Sequence, residues 1–306
     1  MKYAIVVDST TKFRKDFMKE ISNKIDVRVV PVRIYIDQQE YNDSDELSDV
    51  IVEAIKNNQT VETSLPSIKL VEELFEELSD KYEKTYVLSV SSVLSGTYNL
   101  FSTTASKYEN IKVFDSKSVS IQNTYIFERM VMDILNGKEI EDDDIISYKD
   151  DSLFLISVFD LTQLHKSGRI GKVTSILGKL MHVKPILTVE RTGEVGLIAK
   201  ALSSSKLLST LDGYVLTFIK KLLQREGHQN EENVSKIINN IGKLNIEDIE
   251  KMFAIYAAVG SEDYKDFVYN IATKYDIKPI FLDIGPAVTV HVGLHGFGIL
   301  IAKKVK

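Results

Sequence analysis

Short apolar, β-branched runs alternate along the chain with stretches whose apolar residues recur at helical spacing. The runs fall at residues 3–7, 27–36, 85–90, 111–114, 153–158, 186–189, 195–199, 253–259, 279–283 and 298–302. Between them, 67–82, 98–108, 212–224 and 231–241 carry helical periodicity. The first of these places Leu70, Leu74, Phe75 and Leu78 on one face against Glu72, Glu73, Glu76 and Glu77, the pattern of a half-buried helix. Runs 3–7 and 85–90 are almost continuously apolar, as expected of parallel strands covered on both faces.

This alternation predicts α/β architecture. The acidic stretch 136–151, with Gly137 and the run Asp142-Asp143-Asp144, separates two strand-rich halves and reads as a solvated linker or a helix start. The expected organisation is an N-terminal α/β domain over 1–147, three-layered around a parallel sheet, and a C-terminal α/β domain over 148–306, two-layered with a mixed sheet.

A chain of 306 residues, 44% hydrophobic and 27% charged, is long enough for two such cores. The absence of Cys removes disulfides, thiolate nucleophiles and sulfur-ligated metals from consideration. A net charge of -6 argues against nucleic acid as a partner, so an anionic ligand needs a local site. The longest apolar stretches, such as 154–159, fall far short of the roughly 20 residues that span a bilayer. Only five residues lie between Lys2 and Asp8, too few for the apolar part of a signal peptide. A cytoplasmic location without membrane insertion is therefore expected.

In a doubly wound sheet, polar residues just beyond the carboxyl ends of strands face the ligand crevice. Asp8-Ser9-Thr10 lies at one such end and reads first as a cap accepting backbone N–H groups of the next helix. Ser91-Ser92-Val93-Leu94-Ser95-Gly96-Thr97 lies between a strand and a helix, where hydroxyls and free N–H groups suit a carboxylate or phosphate. Ser95 is not in a nucleophile elbow, because Val93 occupies the place of the first glycine. Thr63-Ser64-Leu65-Pro66-Ser67 precedes the amphipathic helix, with Ser67 as its N-cap.

Gly285-Pro286 and the segment from His291 to Gly298 hold two His residues four apart. Gly293, Gly296 and Gly298 make a shared helix face, and so a metal pair, a poor reading; His291 suits a hydrogen bond to an anion, and His295 a loop. Gly168-Arg169-Ile170-Gly171-Lys172 has glycines too close together for a phosphate loop and reads as a basic turn.

Taken in order, these segments resemble the DegV family of bacterial fatty-acid-binding proteins. Asp8-Ser9-Thr10 is similar to its D-S-T start, Thr63 to Ser67 to T-S-Q-P-S, and Ser91 to Tyr98 to S-S-x-L-S-G-T-Y. Asp115-Ser116, Lys166 to Ile170 against K-G-G-R-I, Lys184-Pro185-Ile186-Leu187, and His291 to Gly298 against H-x-G-P-G-x-x-G extend the likeness over the whole chain. Leu65 stands for the family's Gln, Ser167 for a Gly, and Leu294-His295 for Pro-Gly.

The resemblance implies a monomeric carrier, not an enzyme, that takes no cofactor and holds one long-chain fatty acid in an apolar tunnel between its domains. Thr63 and Ser95 would hold the carboxylate, with Ser64, Gly96, Thr97 and His291 around it. Arg169 would engage the head group or a separate ATP-dependent fatty-acid kinase that converts the acid to an acyl phosphate. Leu177, Leu180, Met181, Val183, Ile186 and Leu187 are apolar enough to line the tail, with ordinary core packing the expected role of at least half of them. Burying about 15 methylenes at roughly 0.8 kcal/mol each gives on the order of 12 kcal/mol before association costs, so the tail dominates affinity. The hydroxyls and the His offset the penalty of hiding a carboxylate and orient it. The competing reading is a serine-dependent acyl hydrolase or transferase using Ser95 and His291.

Overall fold

The computed structural model describes residues 2–171, 173, 183–225 and 252–305; the expected helix over 231–241 lies outside them. Strands β1 (Tyr3–Asp8), β2 (Asp26–Val30), β6 (Lys84–Ser89) and β7 (Ile111–Asp115) form a fully parallel sheet in the order β2-β1-β6-β7. Five of the six residues of both β1 and β6 are buried, because helices cover both faces. On one side pack α1 (Lys15–Ile21) and α5 (Ile121–Leu135), through Phe17, Ile126, Phe127 and Met130. On the other pack α3 (Ile68–Lys81) and α4 (Thr97–Ala105), through Val71, Phe75 and Phe101. Ser67 caps α3 as expected, its hydroxyl accepting from the Leu70 N–H at 3.5 Å.

The run 27–36, continuous in the sequence, is broken. Pro31 has no N–H to give a sheet ladder, and the chain leaves the parallel sheet after Val30 to begin β3 (Arg33–Ile36) of a second sheet. There β3 lies between β4 (Gln39–Asn42) and β5 (Val61–Ser64), all antiparallel. Strand β5 is short, with three polar residues in four, and its alternation is invisible among the turn-like residues around it. Thr63 and Ser64 are therefore strand residues rather than part of the cap of α3.

The acidic run opens a helix, α6 (Asp142–Asp150). Glu141 and Asp144 exchange side-chain and backbone bonds in a capping box, and three carboxylates occupy the first turn. Ile145 and Tyr148 tie this helix to the core beneath the parallel sheet, so the expected boundary at 147/148 falls within it.

The third sheet is mixed, in the order β10-β9-β8-β13-β11-β12. It comprises β8 (Ser152–Val158), β9 (Lys184–Val189), β10 (Val195–Ala201), β11 (Phe253–Val259), β12 (Ile280–Phe281) and β13 (Gly296–Lys303). The long helix Ser204–Arg225 and the helix Lys265–Ala272 cover one face through Leu211, Val215, Val268 and Ile271. The other face receives α5, where Ile121 and Tyr125 meet Phe154, Tyr256 and Leu300. Helix α5 is thus sandwiched between two sheets. Among the described residues, no helix is long and apolar enough to cross a membrane.

Candidate functional site

The strand order places a switch point between β1 and β6, whose following loops run to opposite sides of the sheet. Asp8 ties that point together. One carboxylate oxygen accepts from the N–H and hydroxyl of Thr10 at 3.1 and 2.5 Å, and the other from the Val90 N–H at 2.6 Å. Ser9 accepts from the Val32 N–H at 3.1 Å. Both residues do satisfy backbone donors, but those of neighbouring loops rather than of helix α1, which begins at Lys15. Burial pushes the Asp8 carboxyl above its ordinary pKa, against these hydrogen bonds, which lower it.

Above this point lies a cavity of about 300 Å³. One end is polar: Thr63, Ser64, Ser95, Arg169 and His291 meet there with the backbone of Gly96. The rest is apolar apart from Thr10, with Leu94, Val119, Ile156, Leu164, Leu187 and Val189 on its walls. The 2-residue period of β9 divides its residues between the two expected roles. Leu187 and Val189 face the cavity, while Ile186 points to the helix-covered side and packs with Leu155 and Leu207. Val183 is partly buried against the core beside Leu164 and Ile170. Leu177, Leu180 and Met181 lie outside the described residues.

His291 reaches this end from a helix, Pro286–Val292, where the glycines of the segment suggested a loop. The glycines follow His291 and do not interrupt it: Gly293 is the C-cap, and Gly296 begins β13. The helix start is built by two residues that sequence reasoning passed over. Buried Asp43 accepts from the Ala287 N–H at 3.1 Å. Lys12 packs so closely over Gly285, whose φ is +82°, that a Cβ there would lie 2.1 Å from the lysine Cε. Ala287 and Val290 then seat the helix on Ile34, Ile51 and Ala54 beside the small antiparallel sheet. His295 lies in the exposed loop beyond the helix, 3.4 Å from the Tyr264 hydroxyl.

The Nε2 of His291 lies 2.8 Å from the Thr63 hydroxyl oxygen, joining residues 228 apart in sequence. Burial, reinforced by the Arg169 charge, lowers the imidazole pKa from 6.5 to about 4, so it is neutral at physiological pH. With its proton on Nε2, the ring donates to Thr63 and leaves the threonine O–H free to donate into the cavity. The sign of the stability effect follows. Between pH 6.5 and 4 the unfolded chain takes up a proton that folded His291 refuses, so stability falls as the pH falls, by up to about 3 kcal/mol. His291→Gln is expected to remove that contribution, so that its denaturant midpoint changes more favourably from about pH 7 to pH 4.5 than that of the natural protein does. An unchanged slope would place the imidazole in water.

Ser95 is 2.9 Å from the Thr97 hydroxyl and accepts from the Thr97 N–H at 3.3 Å. Thr97 is buried behind Ser95 and is not among the residues lining the cavity, so it orients Ser95 instead of facing a ligand. Ser91, at the start of the same motif, pins the loop to the far half of the chain by donating to the Gly193 carbonyl at 3.0 Å. Gly96 lies close under Leu65: a Cβ there would meet the end of the Leu65 side chain at 3.2 Å. Leu65, which departs from the family pattern, thus lies on Gly96 and forms part of the cavity wall. Arg169 is exposed and spans the two halves, its Nε donating to the Leu94 carbonyl at 3.3 Å.

The polar end also faces outward. Thr63, Arg169 and His291 line a second, polar cleft of about 490 Å³ with Asn58, Gln59 and Lys166. Among the described residues no His–Ser pair forms: His291 is bonded to Thr63, and Ser95 to Thr97.

The family model described as "Uncharacterised protein, DegV family" matches residues 2–304. The chain belongs to the DegV family. A DegV domain-containing protein of Clostridium acetobutylicum is 33% identical over 197 residues, covering 63% of this chain and 69% of the relative. One of Staphylococcus aureus is 26% identical over 309 residues, covering 99% of each. Among solved structures, a DegV family protein from Thermus thermophilus, described as binding fatty acid, superposes with a TM-score of 0.77 at 21% identity, covering 99% of this chain and 100% of that one. DegV of Bacillus subtilis, described as a fatty acid binding protein, gives 0.74 at 22%, with the same coverage. The α/β fold expected from the sequence is the one observed: a parallel sheet in the N-terminal half and a mixed sheet in the C-terminal half.

Proposed function

We propose that this protein binds one long-chain fatty acid in the 300 Å³ cavity and presents its carboxylate to a separate fatty-acid kinase. The observation that carries this reading is the division of the cavity: an apolar length closed at one end by hydroxyls, a neutral imidazole and a guanidinium. A carboxylate taken from water is penalised unless several donors meet it, and Thr63, Ser95 and Arg169 provide them at a single end. The neutral state of His291 makes it an orienting group for Thr63 rather than a counter-charge. The fatty-acid binding of the Thermus thermophilus and Bacillus subtilis proteins supports the same ligand class.

The kinase step is supported by the outward polar cleft, which reaches the same Thr63, Arg169 and His291 that close the cavity. A partner docked there would meet the carboxylate without the tail leaving its slot. The bonding of His291 to Thr63 and of Ser95 to Thr97 favours carriage over acyl hydrolysis. We propose that the acting unit is the monomer.

Native mass spectrometry of protein purified without added lipid is expected to show a fatty acid at one per chain. Incubated with a fatty-acid kinase and ATP, the loaded protein is expected to yield acyl phosphate, with Arg169→Ala impaired in turnover more than in ligand retention. Empty protein that takes up neither oleic nor palmitic acid would remove the ligand class, and loaded protein inert to the kinase would remove the partner.

A further inference from the structure

The cavity does not end at β8. On that strand Ile156 and Val158 form a ridge that walls the main cavity on one side and a smaller chamber of about 60 Å³ on the other. Beyond the ridge the sheet surface falls away, and the strand register explains why. Ile156 pairs with Leu187 of β9 on one side and with Gly298 of β13 on the other, and Gly298 pairs in turn with Ala258 of β11. Read across the sheet, this row goes from two branched side chains to none and then to a single methyl. Val158 likewise pairs with Gly296. The chamber is the volume those missing side chains leave, and its walls are apolar apart from Ser120.

The glycines are needed for packing, not for unusual dihedrals. A Cβ on Gly298 would lie 2.9 Å from the Phe154 ring, and one on Gly296 would lie 2.5 Å from the Ser157 carbonyl oxygen. Phe154 lies against bare backbone and borders the chamber instead of filling it. Val288 and Val292, on the helix that carries His291, form the opposite wall of both spaces.

We infer that the tail of the bound acid is bent, its far part crossing the Ile156–Val158 ridge into the glycine-floored chamber, so that the ligand class is a cis-unsaturated fatty acid. The inference rests on the fatty-acid reading given above. The chamber volume favours a length of chain over a single methyl branch: 60 Å³ is several times the roughly 10–15 Å³ that one water-sized group occupies by the same measure. A saturated chain must give up rotational freedom to turn over the ridge, whereas a cis double bond has the turn built in; preorganisation of this kind raises affinity without new contacts.

The test compares oleic acid, its trans isomer elaidic acid, and stearic acid on the delipidated full chain, by calorimetric titration. Oleic acid is expected to bind roughly threefold to tenfold more tightly than either straight acid. Ala258→Val adds two methyl groups to the chamber at a position that does not line the main cavity, and should bring the oleic-to-elaidic ratio to near one. Gly298→Ala should do the same by driving the Phe154 ring inward. A wild-type ratio near one overturns the inference and needs no variant to be read; so does a ratio that survives both substitutions in folded protein. Failure to bind any of the three acids would instead overturn the fatty-acid reading, and the bent tail with it.

Discussion

Thr63→Val is expected to weaken binding of a long-chain carboxylic acid by about tenfold to a hundredfold, with little change for the matching primary alcohol. The replacement keeps the size and β-branching of the side chain and removes one hydroxyl. That hydroxyl is the link between His291 and the cavity. Without it a carboxylate loses a donor while still leaving water, and His291 Nε2 loses its partner in a site where Nδ1 already has none among the described residues. An alcohol carries no charge to desolvate, and its tail gains the same burial. Titration of both ligands separates the two effects: equal losses would mean that Thr63 only shapes the cavity.

Glu128→Gln is expected to stabilise the protein at about pH 8, by about 1–3 kcal/mol, and to do little at about pH 5. Glu128 lies on α5 between the sheets, fully buried, with Tyr256 donating to it at 2.6 Å, Arg14 at 3.5 Å, and one carboxylate oxygen without a partner among the described residues. Burial raises its pKa from 4.5 to about 7, more than the Arg14 charge and the Tyr256 bond lower it. The folded state therefore holds this proton more tightly than the unfolded chain. The resulting stability is complete below pH 4.5 and disappears as the pH rises to 7. Glutamine keeps the Tyr256 contact and carries no charge at any pH, while Arg14 retains Asp16 at 2.8 Å. Denaturant melts at the two pH values decide it; a variant less stable at pH 8 would show that the Arg14–Glu128 attraction outweighs desolvation.

This slope is opposite in sign to that of His291, and the two overlap between pH 4.5 and 6.5. A flat pH profile in the natural protein would thus hide two opposed titrations. Each single substitution is expected to uncover the other.

Strands buried on both faces and one-sided helices were legible from spacing alone. Helix α5 was not, because lying between two sheets leaves it no solvent face: Gln122, Asn123, Thr124 and Glu128 are as buried as its apolar residues. Strand β5 was hidden by its brevity, and the split of the 27–36 run was announced only by Pro31. At the site, Thr63, Ser95, Arg169 and His291 were reached through motif order, yet nothing local tells that β5 and the helix Pro286–Val292 meet. Asp43 and Lys12, which seat that helix, had no motif around them. A buried acid preceding a Gly-Pro helix start could have been sought as its distant partner. The walls formed by Val119, Ile156 and Val189 follow from cross-strand register, which a single sequence does not fix.

The contact between Thr63 and His291 closes a loop of 228 residues. Its second half is added to the growing chain 228 residues after its first. Until then the apolar face formed by Ile34, Ile51 and Ala54 lacks the cover that Ala287 and Val290 give it. A nascent chain can complete its parallel sheet early, but its hydroxyl-lined pocket forms last. The small sheet thus stays uncovered in a growing chain until the helix that carries His291 has been made.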